Sequence, residues 1–214
     1  MEESTSKEKV LKKVRNALIN KTDNPYPNVD FDTLVYKEME ESLDVNFARE
    51  FTKVAGKFVY CENMEELVSN LSQICSGNQW DEVYCTDPMF QELLDKADIP
   101  FSSDEESFHS LRVSVTGCEY LIARLGSIMV SSAQISGRRL NVYPEIHVVI
   151  AFSSQLVSDL KQALAGIKQR YSNRIPSLIS VITGPSRTAD IEKTLVMGAH
   201  GPRELFVFLI EDSI

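Results

Sequence analysis

The chain is short of what would mark a redox carrier or a zinc module. Its four cysteines, Cys61, Cys75, Cys85 and Cys118, are scattered and no two form a Cys-x-x-Cys pair. Their spacing supplies neither an iron–sulfur ligand set nor a structural zinc site. Three of them lie in or beside apolar runs, and they read as reduced, buried thiols. No stretch approaches the roughly 20 consecutive apolar residues of a membrane span. The opening MEESTSKEKV is acidic and polar, where a signal peptide is basic and then apolar. A soluble, cytoplasmic protein is the expectation. Positive charge is in deficit, with 22 Lys and Arg against 31 Asp and Glu and a formal net charge of −9. A surface of that sign repels phosphate backbones and anionic membranes, so no nucleic-acid partner is expected. Repeats, low-complexity tracts, a Gly-x-x-x-x-Gly-Lys loop, a Gly-x-Ser-x-Gly elbow and a His-x-x-x-His pair are all absent, which argues against a solenoid, a P-loop enzyme, a serine hydrolase and a helical zinc site.

What is present is an ordinary core composition, 43% hydrophobic over 214 residues, enough for one full-sized domain. The economical division is an N-terminal helix and tether over 1–30 and an α/β domain over 31–214. Val10, Leu11, Val14, Ala17 and Leu18 recur at helical spacing opposite Lys9, Lys12, Lys13 and Arg15, which predicts an amphipathic helix over 5–20. The following NKTDNPYPNVD reads as a tether. Further helix ends before Gly56. Strand (57–61), helix capped by Asn63, strand (82–85) and helix capped by Asp87 with Pro88 behind it then alternate, the pattern of a parallel sheet with helices on its faces. Short elements follow: a strand to Val115, a helix over 116–124, a strand over 127–131, a strand over 142–152 and a helix over 155–170.

The stretch from Ser177 to Glu211 organises the rest. Leu178, Ile179, Val181 and Ile182 form a largely β-branched apolar run and 205–210 is continuously apolar, so both strands are expected inside a covered sheet. Between them Gly184, Pro185, Ser186, Arg187 and Thr188 read as a loop leading from a strand into a short helix, whose backbone N–H groups suit an anion. Ser186 and Thr188 add hydroxyls and Arg187 a planar fork for phosphate or carboxylate. The competing reading is structural: Thr188 caps the helix, Asp190 and Glu192 complement its dipole, and Arg187 pairs with them.

His200, in Gly198-Ala199-His200-Gly201-Pro202-Arg203, sits in a turn whose glycines permit unusual backbone angles, and it is the better acid, base or ligand candidate among three histidines. His109 falls in a polar loop. His147, at a strand start, reads as catalytic or as a satisfied structural residue. Glu119 is a second catalytic candidate, although Thr116-x-x-Glu119 also fits a capping box for the short helix between Gly117 and Gly126. Arg138, Arg187 and Arg203 would grip a small anionic ligand if the fold brought them together. Asp190, Gly126, Ser127 and His147 are expected around that site in support, and no metal centre is expected.

Two blocks then carry a specific resemblance. Ile182-Thr183-Gly184-Pro185-Ser186-Arg187-Thr188-Ala189-Asp190-Ile191-Glu192 and Gly198-x-His200-Gly201-Pro202-Arg203 resemble the C-terminal signature of the lactate-utilisation (LUD) domain family, of the lactate utilisation protein C and YkgG-like kind. Thr116-Gly117-Cys118, Ile122-Ala123, Gly126-Ser127, Gly137-Arg138-x-Leu140, Pro144 and His147 fit its middle section. The resemblance is strong from about 110 to 210. It implies a three-layer α/β/α fold, NagB/RpiA/CoA-transferase-like, with a mostly parallel sheet. It also implies a part in oxidising L-lactate to pyruvate beside iron–sulfur partner proteins, with no cofactor in this chain. Where relatives commonly carry Ile-Ala-Glu-Thr-Gly-Thr, this chain has Ile122-Ala123-Arg124-Leu125-Gly126-Ser127. The residues also leave open an independent enzyme or binding protein of the same fold, acting on a phosphorylated or CoA-linked ligand.

Overall fold

The computed structural model of the chain describes residues 5–19, 26, 28–29, 36, 38–110, 112–172, 174–188 and 196–212. It divides into two compact units, Met1–Glu38 and Met39–Ile214. In the first, helix α1 (Ser6–Ile19) forms where the periodicity predicts it, and none of its residues is buried. Its start is closed reciprocally, with the Glu8 N–H donating to Thr5 Oγ1 at 3.3 Å and the Thr5 N–H to Glu8 Oε2 at 2.8 Å. The tether read over 20–30 lies almost wholly outside the described residues.

In the second unit α2 (Leu43–Lys53), β1 (Lys57–Cys61), α3 (Met64–Gly77), β2 (Val83–Tyr84) and α4 (Pro88–Lys96) follow in the expected alternation, and a two-residue strand that the sequence did not predict, β3 (Phe101–Ser102), comes after them. The caps are those legible in the sequence: Asn63 Oδ1 accepts from the Glu66 N–H at 2.9 Å and Asp87 Oδ1 from the Met89 N–H at 3.0 Å. Strands β4 (Val113–Thr116), β7 (Ile146–Phe152) and β12 (Glu204–Ile210) complete a six-stranded sheet in the order β1-β12-β7-β4-β2-β3. Its pairings are all parallel, so its strands are reached by crossovers and need cover on both faces. Ile146, Val148, Ile150, Phe206 and Phe208 pack on α3 and α4 through Leu67, Leu71, Phe90 and Leu94. Val149, Ala151, Leu205 and Val207 pack the other way, on Phe47 and Phe51 of α2 and on Leu121 and Ile128.

That second cover includes a sheet as well as a helix. Strands β5 (Tyr120–Ile122), β6 (Ser127–Ser131), β8 (Leu156–Val157) and β9 (Ile179–Ile182) form a four-stranded mixed sheet in the order β8-β5-β6-β9. Helix α5 (Leu160–Tyr171) closes over it, burying Ala163 and Ile167 against Ile122 and Met129. The mostly parallel α/β architecture is therefore as expected, with the small sheet interposed on one side.

Three local expectations are corrected. The helix expected over 116–124 is instead the end of β4, strand β5 and a 3₁₀ turn, Ala123–Leu125, because Thr116 and Glu119 bond to distant partners. The strand expected inside the covered sheet at 178–182 is β9, an edge strand of the small sheet, with Leu178 39% and Val181 41% exposed. Its place at the edge of the small sheet leaves part of it open to solvent. The helix expected over 155–170 begins only at Leu160, after Asp159 accepts from the Gln162 N–H at 2.9 Å.

Gly126 shows how tightly the small sheet sits on α2. It has a φ of +56°, and a Cβ there would lie 2.2 Å from the Phe51 backbone nitrogen. Neither the torsion nor the backbone contact relaxes cheaply, so Gly126→Ala is expected to lower the unfolding free energy by at least about 2 kcal/mol in urea melts.

Candidate functional site

The terminal blocks come together as two turns zipped by main-chain bonds. The Ser186 N–H donates to the Pro202 carbonyl at 2.7 Å and the Gly198 N–H to the Ser186 carbonyl at 2.8 Å. Ser186 Oγ accepts from the His200 backbone N–H at 3.3 Å, so the serine meets the main chain of His200, and this bond makes no Ser–His dyad. Arg187 and Thr188 form strand β10 (Arg187–Thr188), paired antiparallel with β11 (Val196–Met197). The helix expected after Thr188, with Asp190 and Glu192 in its first turn, lies outside the described residues. Gly184 is required where it stands: its φ is +75° and a Cβ would fall 2.3 Å from the Val54 carbonyl oxygen.

These turns wall a cavity of about 320 Å³ at the N-terminal ends of β7 and β12, with His147, Val142, Gly184, Ser186, Arg187, His200 and Leu205 in its lining. An adjoining cavity of about 660 Å³ shares His200 and adds Glu145 and Arg203. Arg203 Nη2 is 3.2 Å from Glu145 Oε2, so part of its charge is already answered. His200 is exposed, whereas His147 is fully buried.

His147 is the least ordinary group here. By strand alternation its side chain shares a face with Val149 and Ala151, the face turned to the small sheet. Its Nε2 lies 2.8 Å from Thr116 Oγ1, and that hydroxyl donates to the Gly117 carbonyl at 3.1 Å. A hydroxyl has one proton to give, so the arrangement that keeps both contacts as hydrogen bonds assigns Nε2 as the donor and the ring as the Nε2–H tautomer. Burial drives the His147 pKa down to about 3, so the ring is neutral at physiological pH. Among the described residues its Nδ1 is buried without a partner, as is Asn141 Oδ1 in the same cavity lining.

Of the residues expected at the site, the structure brings together Gly184, Ser186, Arg187, His200 and His147, with Arg203 next door. Arg138 is exposed, donates to Ser177 Oγ and lines neither cavity. Arg124 lies in the 3₁₀ turn and lines neither cavity. Ser127 Oγ shares a hydrogen bond with Thr183 Oγ1 at 2.8 Å and is a packing residue beside the turn. Asn141 was not singled out by the sequence; no periodicity or motif marks it, and it stands in the turns six residues before His147, in the lining of the same cavity.

Glu119 belongs to the opposite end of the parallel strands. Ser131 Oγ donates to its Oε1 at 2.6 Å, Tyr171 Oη to Oε1 at 2.7 Å, and Arg170 Nη1 to Oε2 at 2.6 Å. It borders a cavity of about 250 Å³ with Gly117, Gln134 and Phe152. Open α/β sheets usually take ligands at this carboxyl end. Here, however, the carboxylate is committed to three protein donors and joins β6 to α5. Among the described residues the N-terminal cavity, unlike this one, has unpartnered buried polar atoms in its lining. Among the described residues no group of three or more His, Cys, Asp or Glu could hold a metal ion. The four thiols are free and buried, and burial pushes Cys75 and Cys85 up to about 11, where a thiol is a poor ligand or nucleophile. No helix among the described residues is long and apolar enough to cross a membrane.

Residues 45–210, which include both cavities, match the family model described as LUD domain. The chain belongs to the LUD domain family. Among curated relatives, this LUD domain is 37% identical over 102 residues to Lactate utilization protein C of Bacillus licheniformis, covering 47% of this chain and 42% of that one. It is 32% identical over 127 residues to the protein of the same name from Bacillus subtilis, covering 58% and 51%. Uncharacterized protein YkgG of Escherichia coli is 36% identical over 103 residues, covering 47% and 45%. The matched stretch spans about half the length of these relatives. A crystal structure of a DUF162 family protein from Deinococcus radiodurans superposes with a TM-score of 0.57 at 15% identity, covering 78% of this chain and 96% of that one. That likeness carries the fold.

Proposed function

We propose that this protein works in lactate utilisation, as the cluster-free cytoplasmic member of a set that oxidises L-lactate to pyruvate beside iron–sulfur proteins. The observation that carries the reading is that the LUD match takes in the two zipped turns and the cavity they wall, while relatives sharing that domain bear the name lactate utilization protein C. The described residues support a binding or positioning role over an electron-carrying one, because the thiols are buried and high in pKa. Arg187 and Arg203 at the two mouths supply cationic groups for a small carboxylate.

The test is reconstitution. The chain is purified and mixed with iron–sulfur partners from the same source, and lactate-dependent reduction of an acceptor dye is followed. Leaving this chain out is expected to lower the rate at least about tenfold, a loss on the order of 1.4 kcal/mol in transition-state stabilisation. An unchanged rate would overturn the reading.

A further inference from the structure

We propose that the 320 Å³ cavity is a binding site for a small 2-hydroxycarboxylate, its hydroxyl turned inward to His147 Nδ1 and Asn141 Oδ1 and its carboxylate outward to Arg187. The assignment deepens the lactate-utilisation reading above and rests on it for the choice of probe; the class of ligand follows from the cavity itself.

The inner wall asks for donors. With the Thr116 Oγ1 proton assigned to the Gly117 carbonyl, the arrangement that satisfies both contacts, His147 Nε2 is the donor and Nδ1 a bare lone pair. Asn141 Nδ2 reaches toward the Gly137 carbonyl at 3.5 Å, and the flipped amide would set two oxygens against each other, so the atom left over is Oδ1. Both unpartnered groups are therefore acceptors, and a buried acceptor without a donor costs on the order of 1–3 kcal/mol. A carboxylate or ketone placed inward would meet only lone pairs. An ammonium would bring a positive charge into an inner wall where, among the described residues, no carboxylate stands to answer it. An uncharged hydroxyl fits on both counts.

The outer part differs in kind. Arg187 and the exposed His200 stand in the lining with the Ser186 turn, while Val142, Ile182, Pro202 and Leu205 give apolar walls. A short carboxylate with an apolar substituent matches this division of cation, apolar wall and acceptor floor. The volume lies near the lower bound of small-molecule sites, about 300 Å³, which favours a ligand of a few heavy atoms over a nucleotide or a CoA thioester.

The test uses the full chain alone, with no partner proteins, so that its failure and the failure of the reconstitution are separate results. L-lactate, propionate and pyruvate are titrated by calorimetry, and the ¹⁵N resonances of His147 are followed in parallel. Expected is binding of L-lactate at least about tenfold tighter than propionate or pyruvate, which lack the donor. Nδ1 is expected to resonate as an unprotonated nitrogen in the free protein and to shift on adding L-lactate and not on adding propionate. Arg187→Ala should weaken L-lactate and propionate alike, whereas Asn141→Leu should weaken L-lactate and leave propionate unchanged. Equal affinity for the three acids, no L-lactate binding, or a protonated Nδ1 in the free protein would each overturn the assignment.

Discussion

Replacing Glu119 by alanine is expected to cost about 3–5 kcal/mol of unfolding free energy. The carboxylate is 1% exposed and accepts from Ser131, Tyr171 and Arg170. Its removal strands two hydroxyls and a guanidinium that were placed to meet it, and the donors left buried cost about 1–3 kcal/mol each. Arg170 is different, because its side chain is 45% exposed and swings into water once released. Arg170→Ala is therefore expected to cost less, about 2–3 kcal/mol, since the buried charge keeps its two hydroxyl donors. Glu119→Gln, which keeps the shape and loses the charge, should fall between the wild type and Glu119→Ala. Urea denaturation of the three variants checks the order. A loss below about 1 kcal/mol for Glu119→Ala would mean that the carboxylate is not the tie between β6 and α5.

Acid should weaken the fold before the carboxylates titrate. The His147 pKa is pushed down from 6.5 to about 3 by burial, so between those values the unfolded chain binds a proton that the folded chain refuses. The stabilisation is present in full above about pH 6.5 and is lost as pH falls toward about 3. The slope due to this one group approaches about 1.4 kcal/mol per pH unit at most. Asp159 and Asp212 are lowered from 3.8, Asp159 chiefly by accepting from the Gln162 N–H and Asp212 by the Ser153 and Ser154 hydroxyls acting against its burial. Their contributions, with that of Glu50, which is lowered from 4.5, are lost as pH falls through and below the ordinary carboxylate range, so the interval from about 6.5 to 5 belongs largely to His147. Urea midpoints at pH 7, 6, 5 and 4.5 should decline for the wild type and flatten for His147→Gln, which has no proton to gain. Parallel declines in both proteins would show that the ring is reachable by solvent and titrates normally.

Much of the molecule is legible without coordinates. The spacing of Val10, Val14 and Leu18, the caps at Asn63 and Asp87 and the unbroken apolar run of 205–210 each set an element by short-range physics: rotamer freedom, an N–H to be satisfied, a strand covered on both faces. The described residues of the two terminal blocks stand together and contribute to the lining of one cavity. Thr116 to Leu125 was not. A Thr-x-x-Glu spacing satisfies helix N–H groups locally, and local bonds normally win because they cost little loop entropy. Here Thr116 pairs with His147, 31 residues away, and Glu119 with Ser131, Arg170 and Tyr171, 12, 51 and 52 residues away. Those partners answer a buried charge and a buried ring that a surface cap would leave unmatched.

The sequence by itself determined the alternation of the parallel sheet, its family and the residues of the two zipped turns, because each is written in neighbouring positions. Only the tertiary structure decided that Glu119 is a tie within the fold, that Arg138 stands apart, and that His147 and Asn141 present bare acceptors to one cavity. Whether a polar atom is left without a partner depends on every segment packed around it, and that is settled when the strands are ordered into a sheet.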